Sequence, residues 1–180
     1  FEYPSHPNRP SKILDFGCAR GYVVKALRLM GYNAYGIDVS EWAIRNCDPV
    51  VKEFVNWTDN SPPLVDREFD WIIAKDVLEH ITALDYTVET LMKAARQGIF
   101  IVVPLSNVEG DPYVVLDYEE DITHFHRLPL MEWAGLFMQP GWSVEARYRL
   151  KGVKDNYAQY PTGNGFLTCR RLDHGEKQSS

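Results

Sequence analysis

Two groups of residues in this chain have the types and spacing to do chemistry. The first is Ile13-Leu14-Asp15-Phe16-Gly17-Cys18-Ala19-Arg20-Gly21, followed by Ala34-Tyr35-Gly36-Ile37-Asp38. Gly17 allows a sharp turn and lets backbone approach a ligand closely. Gly21 sits where a small residue permits tight helix packing. Asp38, closing the second apolar run, can accept two hydrogen bonds from a ribose diol. The G-x-G-x-x-G spacing of pyrophosphate sites is not met, because Ala19 stands between the two glycines. Asp15 would repel a phosphate and welcome an ammonium. A ribose, an ammonium and no phosphate describe S-adenosylmethionine. An ordinary strand-to-helix turn is the bland alternative.

The second group is Lys75-Asp76-Val77-Leu78-Glu79-His80-Ile81 together with Asp121-Ile122-Thr123-His124-Phe125-His126. A helical turn starting at Asp76 would place Asp76, Glu79 and His80 on one face. His80 then reads as a general base or a substrate anchor. Asp76-x-x-Glu79 also reads as a capping box that only starts a helix. His124 and His126 share a side if the chain there is extended, which suits proton acceptance or a metal pair. Packing against the following helix is the alternative, with Asp117, Glu119, Glu120 and Asp121 as a solvated face. Asp76, Glu79, His80 and one of His124 or His126 would also suit a divalent ion. The leading reading takes the three histidines as catalytic and assigns no metal.

These groups need elements to hold them. Lys12 to Phe16 and Asn33 to Asp38 read as strands, separated by an amphipathic helix from Tyr22 to Met30 that Gly31 ends. Ser40 caps a helix to about Asn46. Val50 to Val55 reads as a short strand, and Asn56 to Pro63 as a turn-rich loop. Glu68 to Lys75 is a buried strand, Thr82 to Gln97 a helix, and Gly98 to Pro104 a central parallel strand. Ser106 to His126 has no clear period, as befits an active-site loop. Leu130 to Met138 looks helical, and Trp142 to Leu150 and Gly165 to Leu172 are strands. Alternation of strands and helices predicts an α/β fold, a Rossmann-like doubly wound, mostly parallel sheet closed by an antiparallel C-terminal strand pair. The whole chain, 1–180, is expected to be one domain, with an irregular lead-in over 1–10 and a polar tail over 173–180.

The 180 residues carry a net charge of −6, so there is no basic footprint for nucleic acid. Three scattered cysteines argue against a disulfide framework and point to a reducing, cytoplasmic setting. No apolar run reaches the roughly 20 residues of a membrane span, and no signal peptide is visible. The chain opens at Phe1, not Met, which leaves room for a missing N-terminal element.

The run Leu14 to Gly21, with Asp38 and then Phe69-Asp70-Trp71-Ile72-Ile73-Ala74, resembles the class I S-adenosylmethionine-dependent methyltransferases over roughly Lys12 to Leu172. The resemblance implies that the loop from Gly17 to Gly21, with Cys18 and Ala19, wraps the methionine part, and that Asp15 and Phe16 belong to the cofactor-binding set. It implies that Asp38 and Val39 meet the ribose end, that Trp57 and Thr58 flank adenine, and that Lys75 and Asp76 face the sulfonium. Ala19 replaces a common glycine, and the helix that usually precedes the first strand is absent or truncated. Leu78-Glu79-His80 is frequent in this group with unlike substrates. A Thr-His placement like Thr123-His124 lines the acceptor pocket in related small-molecule enzymes, and Tyr113, Tyr118, Phe125 and Trp133 could supply aromatic walls. The expected activity is in-line methyl transfer to a small-molecule acceptor. One alternative is a metal-assisted RNA 2′-O-methyltransferase, whose E-x-x-E-H run and downstream His are similar to the Asp76–His80 segment. The others are a non-catalytic domain of the same fold and a dehydrogenase.

Overall fold

The computed structural model describes residues 10–59 and 63–172. The expected lead-in (apart from Pro10), the tail 173–180 and residues 60–62 of the turn-rich loop lie outside these residues. Seven strands form one sheet in the order β3-β2-β1-β4-β5-β7-β6. Contacts cluster into two compact units, one running to Ile73 and including Lys93–Gln97, the other comprising Ala74–Met92 and the chain from Gly98 onward.

The first unit holds β1 (Lys12–Phe16), α1 (Tyr22–Leu29), β2 (Asn33–Asp38), α2 (Glu41–Arg45), β3 (Val55–Trp57) and most of β4 (Phe69–Lys75). β1 pairs in parallel with β2, with Leu14 opposite Tyr35. β2 pairs in parallel with β3, with Gly36 opposite Val55. Ile13, Val24, Ala34, Val51, Val55 and Trp71 form one core on the α1 side. Each large aliphatic side chain buried there contributes about 1.5–3 kcal/mol. Met30, the last residue of the expected helix, is 70 % exposed, because the helix ends at Leu29 and Gly31 turns away with φ +88°. Ser40 caps α2 as expected, its hydroxyl accepting from the Ala43 N–H at 3.2 Å. The expected strand from Val50 to Val55 is corrected. Pro49–Val51 is a 3₁₀ turn that the Asp48 carboxylate caps at the Val50 N–H, 3.0 Å away, and the strand begins only at Val55.

The helix expected to reach Gln97 stops at Ala94, and β5 (Ala95–Pro104) starts on the next residue. Tertiary bonds within the first unit account for this. The Arg96 guanidinium pairs with Asp70 and donates to the Arg67 carbonyl at 2.6 Å. The Trp71 indole donates to the Gln97 amide oxygen at 3.1 Å.

The second unit holds α3 from Leu84, β5 from Gly98, α4 (Leu130–Gly135), β6 (Trp142–Arg147) and β7 (Asn164–Arg171). β7 lies antiparallel to both β5 and β6, with Ile101 opposite Leu167 and Val144 opposite Cys169. Trp133, Phe137, Ile99, Ile101 and Leu167 are fully buried. All three cysteines are buried and free. Among the described residues no helix is long and apolar enough to cross a membrane.

Candidate functional site

The glycine turn of the first unit is built from backbone. The N–H groups of Gly17 and Cys18 both donate to the Ile37 carbonyl, at 2.9 and 3.0 Å. Gly17, Ala19 and Gly21 all have positive φ, at 78°, 45° and 76°. Gly21 has no room for a side chain, since an added Cβ would stand 2.9 Å from Val51 Cγ2 and 3.0 Å from Val55 Cγ1. Asp38 holds the turn shut. One carboxylate oxygen accepts from the Ala19 N–H and the other from the Ser40 N–H, each at 2.7 Å. Each oxygen keeps a further lone pair, so the carboxylate can still accept from hydroxyls. Asp15 and Phe16 are buried at the foot of the turn. Burial, reinforced by the charges of Asp15 and Asp38, pushes the Cys18 thiol far up and keeps it protonated. Val39 and Trp57 are exposed, and the Trp57 indole donates to the Val39 carbonyl at 3.1 Å. The Thr58 N–H donates to the Asp38 carbonyl at 3.0 Å. On the sheet face away from α1, Leu14, Tyr35, Ile37, Trp57, Leu64 and Phe69 line a cavity of about 450 Å³.

The second unit gathers the other group. The helical turn expected from Asp76 does not form. Asp76 takes a left-handed φ of 51°, and a 3₁₀ turn spans Leu78–His80 with Val77 before it and no side-chain cap. The capping-box alternative is therefore also absent. The Asp76 carboxylate pairs with Lys75 and, at 3.0 Å, with Lys154 from the β6–β7 connection. Burial lowers the Lys154 ammonium, but Asp76 outweighs it and the net shift is upward. No local signal pointed to Lys154, which stands far along the chain from its partner.

Glu79 is 1 % exposed, and burial, with Asp76 nearby, pushes its carboxyl up to about 8. Its Oε2 is buried without a hydrogen-bond partner among the described residues. The loop closes over this turn, because the N–H groups of Phe125 and His126 donate to the Glu79 carbonyl at 2.7 and 3.3 Å. The His80 and His124 rings stand 4.5 Å apart. The Thr123 hydroxyl donates to Asp121 Oδ1 at 2.5 Å, so it must accept from His80 Nδ1–H at 2.8 Å. His124 Nδ1 lies 2.8 Å from the Tyr118 carbonyl, which can only accept. In the neutral form both rings therefore carry the proton on Nδ1 and a lone pair on Nε2. Burial and the neighbouring His124 hold His80 below the usual imidazole range, so it is neutral near pH 7.

His126 differs. Its Nε2 donates to the Ile81 carbonyl at 2.8 Å, and its ring lies against Trp133. The structure thus brings His80 and His124 together with Glu79, their ligand-type atoms within 4.8 Å of one another, and sets His126 to anchoring the loop. Of the aromatic wall, Tyr113 and Trp133 are buried, while Phe125 is exposed.

A family described as "Methyltransferase domain" matches residues 2–147. The human mitochondrial ubiquinone biosynthesis O-methyltransferase is 22 % identical over 91 % of this chain, which spans 57 % of that relative's length. Among solved structures, a chain of the complex between the Haloferax volcanii Trm112 methyltransferase activator and a methyltransferase superposes with a TM-score of 0.73 at 17 % identity, covering 95 % of this chain and 86 % of that one. The Burkholderia thailandensis 1,6-didemethyltoxoflavin-N1-methyltransferase, bound to its acceptor and S-adenosylhomocysteine, gives 0.66 at 18 % identity, covering 92 % and 72 %.

Proposed function

Since the chain belongs to the class I S-adenosylmethionine-dependent methyltransferase family, we propose that it moves the methyl group of S-adenosylmethionine to a small-molecule acceptor. One observation carries the reading: a carboxylate at the end of β2, Asp38, clasps a glycine turn whose Gly21 has no room for a side chain, and keeps lone pairs for a sugar diol. The residues present fit the donor. Asp15 and Phe16 support the turn, and Gly17, Cys18, Ala19 and Gly21 offer backbone to the amino-acid end. Asp38 accepts from the ribose hydroxyls, and Val39, Trp57 and Thr58 border the adenine. Lys75 and Asp76 remain in the proposed donor set on the family's pattern.

When bound, the sulfonium supplies an activated methyl, so the protein needs mainly to align the reacting atoms. An oxygen acceptor is supported by the O-methyltransferase naming of the human relative and by two imidazoles with free Nε2 lone pairs. A hydroxyl loses its proton as its oxygen takes the methyl. In this proposal His80 or His124 receives that proton, while His126 positions the loop. Calorimetry with S-adenosylhomocysteine tests the donor side, followed by transfer of labelled methyl to a panel of small phenols. Binding is expected below about 1 mM. Failure of S-adenosylhomocysteine to bind would end the proposal.

A further inference from the structure

We propose that Glu79, His80 and His124 form a binding site for one divalent transition-metal ion of the zinc class. Three electron-pair donors converge here. The Glu79 carboxylate has a fully buried Oε2 that meets no donor among the described residues. Each imidazole directs its only neutral-form proton elsewhere, His80 through Nδ1 to Thr123 and His124 through Nδ1 to the Tyr118 carbonyl. Those two bonds have the form of the outer contacts that orient metal-bound histidines, an Nδ1–H given to a carbonyl or to a hydroxyl that a carboxylate holds. Asp121 holds that hydroxyl. Its other oxygen stands 3.9 Å from a ring nitrogen of His124, beyond hydrogen-bond reach.

The ligand atoms already lie within 4.8 Å of one another. A tetrahedral zinc site with bonds of about 2.0–2.1 Å needs them roughly 3.4 Å apart, a contraction within side-chain reach. Two imidazoles and one carboxylate favour a borderline transition metal over magnesium, and three protein ligands leave a position open. The geometry also revises the ligand set that spacing alone suggested. Asp76 is committed to Lys75 and Lys154, and His126 donates its Nε2–H to Ile81. With a metal bound the two Nε2 lone pairs are occupied, so the ion, by lowering the pKa of a bound hydroxyl, would take the place of His80 or His124 as the activating group, a role that rests on the oxygen-acceptor reading above.

The test needs no turnover. Full-chain protein, stripped with a chelator and dialysed, is titrated with ZnCl₂ by calorimetry and with CoCl₂ by visible absorption. One equivalent should bind, with ligand-field bands of a low-coordinate cobalt site. Glu79→Gln, which keeps shape, and His124→Gln should each weaken binding by at least about 100-fold. Thr123→Val should weaken it about 10–100-fold through His80. Asp76→Asn should keep one equivalent bound with the same cobalt bands, since that carboxylate is not a ligand, while its lost charge shifts the affinity through Glu79. Circular dichroism checks that each variant folds, and the wild-type cobalt spectrum stands whatever any variant does. Wild-type protein that binds no metal would overturn the site and leave a merely protonated Glu79. Unchanged affinity in both Glu79→Gln and His124→Gln would overturn it equally. S-adenosylhomocysteine binding, measured on the same metal-free protein, reports separately on the methyl-transfer reading.

Discussion

Replacing Asp38 with Asn separates the proposed pocket from a simple strand end. The native carboxylate accepts one backbone N–H on each oxygen, from Ala19 and Ser40, both at 2.7 Å. An amide can accept on one side only, and its NH₂ must then face the other N–H. One charge-assisted hydrogen bond is lost and a donor is left against a donor. Such a bond is worth about 1.5–3 kcal/mol. If the lost acceptor also serves the ribose, affinity for S-adenosylhomocysteine should fall about 10- to 150-fold, at about 1.4 kcal/mol per decade. Calorimetry measures the affinity and urea unfolding the stability. Ser40→Ala is the matched control. It removes the α2 cap at the Ala43 N–H, costs about 1 kcal/mol of stability and should leave affinity alone. An Asp38→Asn protein that binds S-adenosylhomocysteine as well as the wild type would refute the reasoning.

Other expectations follow from particular contacts. An alanine Cβ at Gly36 would stand 2.6 Å from Cys18 Cβ and 2.7 Å from its sulfur, so Gly36→Ala should cost about 1–3 kcal/mol. Cys18→Ala removes the sulfur but keeps the Cβ at 2.6 Å and should recover little, whereas Cys18→Gly removes both and should recover part of that loss in thermal melts; equal melts for the two double mutants would count against the close approach. His126→Ala should destabilise by about 1–3 kcal/mol, because the Ile81 carbonyl loses its donor, while S-adenosylhomocysteine affinity stays put. Wild-type stability in that variant would contradict the anchoring role. Glu119 is held below the ordinary carboxylate range by hydrogen bonds from the Arg127 guanidinium and the Tyr113 N–H. That contribution is present above the ordinary glutamate range and lost as pH falls through the lowered value. Amide protection in the Ser106–His126 loop, taken relative to the intrinsic exchange rate at each pH, should therefore fall on acidification below about pH 4.5, and less so in Glu119→Gln, which lacks the titrating group. A pH-independent loop would refute it.

Much of this was legible from local chemistry. The apolar runs ending at Phe16 and Asp38, the Ser40 cap and the paired strands near the C-terminus follow from period, capping and β-branched content. The errors came from long-range bonds overriding good local propensities. Arg96 and Gln97 are sound helix formers, yet Asp70, the Arg67 carbonyl and Trp71 draw them into a strand. The β-branched run at Val50 and Val51 is diverted by the Asp48-Pro49 start of a 3₁₀ turn. At the second group of residues the types were right and the arrangement was not. Spacing could not show that Lys154 would engage Asp76, or that Thr123 and Tyr118 would set which nitrogen of each imidazole stays bare.

The hollow beneath Leu64, between Tyr35, Ile37 and Phe69, has a practical corollary. In a close-packed interior an extra methylene forces its neighbours aside, but here added bulk meets empty space. Enlarging Leu64 to Phe should raise the melting temperature without moving the glycine turn. Trp57 and Thr58 line the same hollow and border the proposed adenine site, so toughening this flank and tuning donor affinity are one and the same intervention.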